Sequence, residues 1–204
     1  MTLRDTVKLR TATTVLLLAA TLAVQAAPVA GAPALKSGVF APPPAAPGLA
    51  ALRATDGGAL TLARFHGKVV ALVFGFTHCP EVCPTTLATL AEARKALGAD
   101  APAVQVVYVT VDPERDDLAG IGRYLTAFDK TFVGGTGTPA ALAEVYKRFG
   151  ITAVKVPMPS GGYAMNHSSS VYLIDRDGRL RALMPYGHEA KDFVHDFRLL
   201  LALK

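Results

Sequence analysis

Phe74-Gly75-Phe76-Thr77-His78-Cys79-Pro80-Glu81-Val82-Cys83-Pro84 contains both cysteines of the 204-residue chain and falls where an apolar run gives way to a helical pattern. Upstream, Val69-Val70-Ala71-Leu72-Val73-Phe74 is unbroken apolar sequence, which suits a strand covered on both faces. Downstream, Leu87, Leu90, Ala91 and Leu97 share one helical face and Gly98 supplies a stop. Proline suits the start of a helix, where its missing N–H costs nothing, so Pro84 marks the opening of this one. Both sulfurs then sit at or just before a helix N-terminus, where exposed N–H groups favour the thiolate. Cys83 lies one turn before Leu87 on the inward face and is expected to be the more buried sulfur.

Working outward, Leu52-Arg53-Ala54-Thr55 and Leu60-Thr61-Leu62 flank Asp56-Gly57-Gly58, the signature of a hairpin placed before the central strand. Past the first helix, Val104 to Val111 forms a second apolar strand that runs into the acidic stretch 112–117 and a helix bearing Leu118, Ile121, Leu125 and Phe128. Phe132-Val133 is a short strand, and Thr138-Pro139 opens a helix that Gly150 ends. An irregular stretch is expected at 157–162. Strands at Ser170 to Ile174 and Leu180 to Leu183 follow, joined by an Asp175-Arg176-Asp177-Gly178 turn, and then a closing helix with Phe193, Phe197, Leu200 and Leu201 inward. This order predicts an α/β domain with a central mostly parallel sheet, flanking helices and an added N-terminal hairpin. A cysteine pair at the end of a βαβ strand points to the thioredoxin-like class.

The N-terminus has Arg4, Lys8 and Arg10, an apolar run from Val15 to Val24 and small residues at Ala26 and Ala27, the three-part layout of a secretory signal. Residues 1–26 are therefore expected to be a signal peptide or a membrane anchor, with cleavage near Ala26 favoured because the run is short for a membrane span. Residues 27–48, nearly uncharged and rich in Ala and Pro, are expected to be a tether, and 49–204 the folded domain. The domain is expected to be exported, periplasmic, and either soluble or held to the inner membrane by its N-terminal segment. The net charge of +5 is scattered, so nucleic acid is not an expected partner.

The cysteine stretch, then Val109-Thr110-Val111-Asp112-Pro113-Glu114-Arg115-Asp116, then Asn166-His167-Ser168 and Tyr172-Leu173-Ile174-Asp175, resembles the signature blocks of the Sco/SenC family in order and spacing. The resemblance runs from about Leu60 to the C-terminus. It implies a thioredoxin-like copper-binding protein that assists assembly of the copper A centre of cytochrome c oxidase. In that family the cysteine pair and a distant histidine bind copper, which maps onto Cys79, Cys83 and His167. The implied partners are the copper-A-bearing subunit, a copper donor and a thiol reductant. Two thiolates and an imidazole suit Cu(I) and also accommodate Cu(II), whereas zinc usually takes a fourth protein ligand.

The same residues also carry other readings. Cys79 and Cys83 are also the redox-active pair of a thiol-disulfide oxidoreductase, of a peroxide-reducing enzyme of this fold class, or a structural disulfide. His78 is expected to hydrogen-bond near the site, Asp112 to sit at its mouth or to cap the next helix, and Met158 and Met165 to be transient thioether ligands or ordinary packing. Asn166 stands where the family commonly has Asp. On the expectation that it tunes the neighbouring histidine, Asn166→Asp would lower the potential of bound copper.

Overall fold

The structure is a computed structural model that describes residues 34–203, except 50 and 160. The leader 1–26 and the start of the tether lie outside the described residues. Strand β4 (Val69–Gly75) is buried along its whole length, as its unbroken apolar sequence requires. It pairs in parallel with β5 (Val104–Thr110), which pairs in parallel with β6 (Val133–Thr136). On the β6 side the sheet is extended by the predicted hairpin of β2 (Leu52–Ala54) and β3 (Ala59–Leu60). On the β4 side it is extended by β9 (Val171–Ile174), β10 (Leu180–Met184) and a short β1 (Gly38–Val39), giving the order β1-β10-β9-β4-β5-β6-β2-β3.

The sheet is thus mixed, and the parallel part is confined to β4, β5 and β6. Helical crossovers link those three strands, whereas the short turns joining β2 to β3 and β9 to β10 can only return the chain antiparallel. The crossovers are α1 (Val82–Leu97) and α2 (Leu118–Thr126); α3 (Pro139–Phe149) and α4 (Ala190–Ala202) complete the layers. Asp117 caps α2 and Thr138 caps α3, each through its side-chain oxygen, and Gly150 ends α3 in the left-handed conformation. The period of two along β4 divides the core. Val70, Leu72 and Phe74 pack with Leu142, Val145 and Phe149 of α3, and Val69, Ala71 and Val73 pack with α1, α2 and α4.

Residues 34–48 correct the tether reading, because they lie along the domain edge. Phe40 donates its N–H to the Arg181 carbonyl at 2.9 Å and Ala46 to that of Gly178 at 2.8 Å. The carboxylate of Asp196, fully buried on α4, accepts the N–H of Lys36 at 2.7 Å, the N–H of Ser37 at 3.1 Å and the Ser37 hydroxyl at 2.5 Å. Composition weighs what side chains can bury; here a few packed side chains, Leu35, Phe40 and Ala46, are joined by backbone bonds to a sheet edge and by a carboxylate far away in sequence. Asp196→Ala would leave those donors without a partner. It should lower stability by about 2–4 kcal/mol and expose 34–48 to proteolysis, as read by chemical denaturation and limited digestion.

Strands β7 (Ala153–Pro157) and β8 (Tyr163–His167) form a separate antiparallel hairpin. The irregular stretch foreseen at 157–162 is only its tip, closed by the N–H of Met158 on the Gly162 carbonyl at 3.2 Å. Cross-strand pairing puts Ala153, Lys155, Tyr163, Met165 and His167 on one face, and Val154, Val156, Ala164 and Asn166 on the other. Among the described residues no helix is long and apolar enough to cross a membrane.

Candidate metal centre

After Gly75 the chain turns through 76–81 before α1 begins at Val82. Cys79 tightens that turn by donating its N–H to the Phe76 carbonyl at 3.2 Å, and its Sγ accepts the N–H of Cys83 at 3.4 Å. Glu81, which flanks the helix, makes no side-chain cap bond, so the Cys79 sulfur stands where a capping oxygen usually would. The helix starts two residues before Pro84, which still falls in the first turn, where an N–H has no intrahelical partner.

Both cysteines are free thiols, Cys79 half-buried and Cys83 only 2% exposed. Burial pushes the Cys83 thiol up to about 12, against a hydrogen bond from the Phe76 backbone that acts the other way. The expected thiolate at the helix terminus is therefore corrected for Cys83: loss of solvent outweighs the nearby donors. Gly75 makes room for it, since a Cβ there would stand 2.8 Å from both the Cys83 sulfur and the Tyr108 hydroxyl.

His167, the last residue of β8, faces this pair. Burial holds its imidazole below the ordinary histidine value, against the Ser168 carbonyl, which acts to raise it. The ring is thus neutral near pH 7. With Nδ1 bonded to the Ser168 carbonyl at 2.8 Å, the bare Nε2 is turned to the Cys83 sulfur, 3.7 Å away. The Phe76 ring stands edge-on to the imidazole at 5.7 Å. The ligand atoms of Cys79, Cys83 and His167 all lie within 4.8 Å of one another. A small contraction would bring all three onto one ion, and the set of two sulfurs and one imidazole nitrogen is soft.

A second layer holds these residues. The buried carboxylate of Asp116 accepts the Thr77 N–H at 3.0 Å, the Thr77 hydroxyl at 2.6 Å and the Thr110 hydroxyl at 2.7 Å, fixing the cysteine loop to β5. Asp112, also fully buried, pairs with Arg115 and accepts the Tyr163 hydroxyl at 2.8 Å, while Arg115 bonds the Tyr163 carbonyl at 3.0 Å and stacks on its ring. Burial, then the adjacent Asp112, push the Tyr163 phenol up to about 12, so it is a donor at neutral pH.

With this geometry in view, the relatives are informative. The SCO1/SenC family model matches residues 51–202. The chain belongs to the SCO1/SenC family. It is 35% identical over 143 residues to the mouse mitochondrial SCO2 homolog, a match spanning 69% of this chain and 56% of the mouse protein. The match to the zebrafish SCO2 homolog is 39% identical and spans 56% of this chain and 42% of that protein. The chain thus spans about half the length of these relatives. The structure of Bradyrhizobium japonicum ScoI with copper bound is 36% identical, with a TM-score of 0.68 over 82% of this chain and all of that one. Apo Sco1 from Thermus thermophilus is 34% identical, with a TM-score of 0.71 over 82% of this chain and 98% of that one. The SCO1/SenC membership and these neighbours fix the thioredoxin-like class of the fold.

Of the residues singled out in the sequence, Cys79, Cys83 and His167 come together and the others stand apart. His78 is largely exposed and bonds the Thr77 hydroxyl at 3.1 Å, beside Asp116 rather than in the ligand group. Asp112 does not cap α2, which Asp117 does. Met165 packs against the core and Met158 is 42% exposed at the hairpin tip. The tuning role foreseen for Asn166 is corrected: it is exposed on the opposite face of the hairpin, and the second nitrogen of His167 is already engaged by Ser168. A carboxylate at 166 would point to solvent, and the shift in potential expected of Asn166→Asp loses its physical basis. Nothing local in the sequence marks Arg115, Tyr163 or Gly75 as site residues, whereas the acidic run holding Asp116 is a visible signal.

Proposed function

We propose that the reduced protein binds one copper ion through Cys79, Cys83 and His167 and serves in assembling the copper A centre of cytochrome c oxidase. The observation that carries this reading is the convergence of two thiol sulfurs and a neutral, oriented imidazole nitrogen within 4.8 Å. The copper-bound relative from Bradyrhizobium japonicum, matched over its whole length, supports the choice of metal. The assembly role follows from the family resemblance, and with it the proposed partners: the copper-A-bearing subunit, a copper donor and a thiol reductant. The leader pattern supports export to the periplasm, soluble or tethered.

In this reading the chain supplies a soft donor set already gathered by the fold, and copper when bound would replace the thiol protons. Since Cys83 holds its proton up to about 12, binding must release it. Apparent affinity should therefore rise with pH across the neutral range, by up to about ten-fold per unit for this one proton. Titration of the reduced protein with Cu(I) at several pH values, with a competing chelator, checks both the stoichiometry of one and the slope. A pH-independent affinity would contradict ligation by Cys83.

Thiol-disulfide exchange is a second reading, favoured by the half-buried Cys79 sulfur lying beside that of Cys83. The two are linked. Oxidation of the pair to a disulfide removes two electrons and two protons and leaves neither thiolate, so copper binding should vanish in the oxidised protein and return with a reductant. Equal affinity of the two forms would exclude ligation through the pair.

A further inference from the structure

We propose that the loop 112–116 is a bracket that sets the distance between His167 and the two cysteines, and that Asp112 and Tyr163 are positioning residues for the histidine; this rests on the proposed metal site. The histidine is carried on a hairpin separate from the eight-stranded sheet. At its base the hairpin is tied by the Ser168 N–H on the Thr152 carbonyl and the Thr152 N–H on the Ser168 hydroxyl, both at 3.0 Å. Beyond that, the polar hold comes from the loop 112–116, whose Glu114 pairs with Lys155 of β7 and whose other contacts are at the far end of β8. There the Tyr163 hydroxyl donates to Asp112, the Arg115 guanidinium bonds the Tyr163 carbonyl, and that guanidinium lies 3.9 Å over the Tyr163 ring.

Tyr163 is four residues from His167 on the same face of one strand, so the grip acts about 13 Å from the imidazole at the usual rise per residue. Three residues past Asp112, Arg115 lies 5.7 Å from the centre of the Phe76 ring, which stands edge-on to His167. Four past it, Asp116 holds Thr77, two residues before Cys79. The Thr110 hydroxyl links the Asp112 backbone to the Asp116 carboxylate, accepting the Asp112 N–H at 2.9 Å and donating to Asp116 at 2.7 Å. A continuous path therefore runs from the cysteine loop through Asp116, Thr110 and Asp112 to the histidine hairpin. Asp116 grips the cysteine half of the site and Asp112, with Glu114 beside it, the histidine half, and none of them is among the ligand atoms.

The discriminating variant is Tyr163→Phe, which deletes the hydroxyl and keeps the ring under Arg115. Val154→Thr, on the opposite face of the same hairpin, controls for general perturbation. In the metal-free protein, amide hydrogen exchange across β7 and β8 should quicken by about ten-fold or more in Tyr163→Phe, ten-fold being the lower end for losing a hydrogen bond to a charged acceptor, and stay unchanged in Val154→Thr. With Cu(II) alone as probe, Tyr163→Phe should keep sulfur-to-copper charge transfer but shift it towards the spectrum of His167→Ala, and Cu(II) should leave about ten-fold faster. Asp112→Asn, which weakens the Arg115 and Tyr163 contacts together, should do the same more strongly. Wild-type exchange and wild-type Cu(II) spectra in both Tyr163→Phe and Asp112→Asn would overturn the bracket. Absence of cysteine-dependent Cu(II) binding in the unaltered protein would instead overturn the metal site, while the exchange arm would still judge the hold on the hairpin.

Discussion

Cys83→Ala is expected to lower copper affinity by more than about 100-fold while leaving the domain folded. Loss of a residue that merely supports a ligand typically costs about 10–100-fold, and loss of the ligand itself should exceed that. The fold should survive, because in the metal-free protein Cys83 is a protonated, buried side chain that behaves as a small apolar group, with its thiol pushed up to about 12. Truncating it should cost stability only about 1 kcal/mol. Cys79→Ala should lose copper comparably and also remove the acceptor of the Cys83 N–H, loosening the first turn of α1. His167→Ala should differ in kind. Two thiolates still suit Cu(I), so this variant should lose Cu(II) far more than Cu(I). Competition titrations with both ions on the three variants, beside thermal unfolding of the metal-free proteins, check the set. Retention of one tightly bound copper with unchanged charge-transfer bands in all three would place the metal elsewhere.

The sequence was informative wherever one local signal decides a local outcome. The two-faced apolar run at 69–74 could only be a covered strand, and Gly98, Thr138 and Gly150 mark helix ends as caps do. The cysteine pair stood out by its place between strand and helix, and its partner His167 by the family blocks rather than by anything local. What stayed hidden depended on distant partners. Asp196 gains its role only when Ser37 is brought to it, and Asp112 only when the hairpin closes over it. In β7 the alternation Val154-Lys155-Val156 is inverted, with the valines exposed and the lysine on the face that carries His167, and β8 mixes apolar and polar residues on both faces, so neither reads as a half-buried strand. The thiolate expected for Cys83 failed for a related reason. A helix terminus is visible in sequence, whereas the burial that outweighs it is a property of the packed core.

Gly75→Ala is expected to damage stability and metal binding together. Gly75 ends β4 in ordinary strand geometry, so its requirement is for space and not for a left-handed backbone. An added Cβ would stand 2.8 Å from the Cys83 Sγ, 2.8 Å from the Tyr108 hydroxyl and 2.9 Å from the Tyr108 ring, closer than real Cβ contacts come. None of the three can yield freely. Cys83 is fixed by the first turn of α1, Tyr108 is fully buried in β5, and β4 itself is tied at this point by the Val111 N–H on the Gly75 carbonyl at 2.7 Å. Overpacking of this kind costs about 1–3 kcal/mol, and contact on two sides at once puts this site at the upper end. The strain should also move the Cys83 sulfur relative to His167 Nε2, now 3.7 Å away, and so weaken copper binding. The Tyr108 hydroxyl has no hydrogen-bond partner among the described residues, so Tyr108→Phe alone should cost little. Combined with Gly75→Ala it removes one of the three close atoms and should restore part of both losses. Chemical denaturation and Cu(I) competition on the two single variants and the double variant measure this. Wild-type stability and affinity in Gly75→Ala, or no recovery in the double variant, would show that the glycine is not there to seat the sulfur.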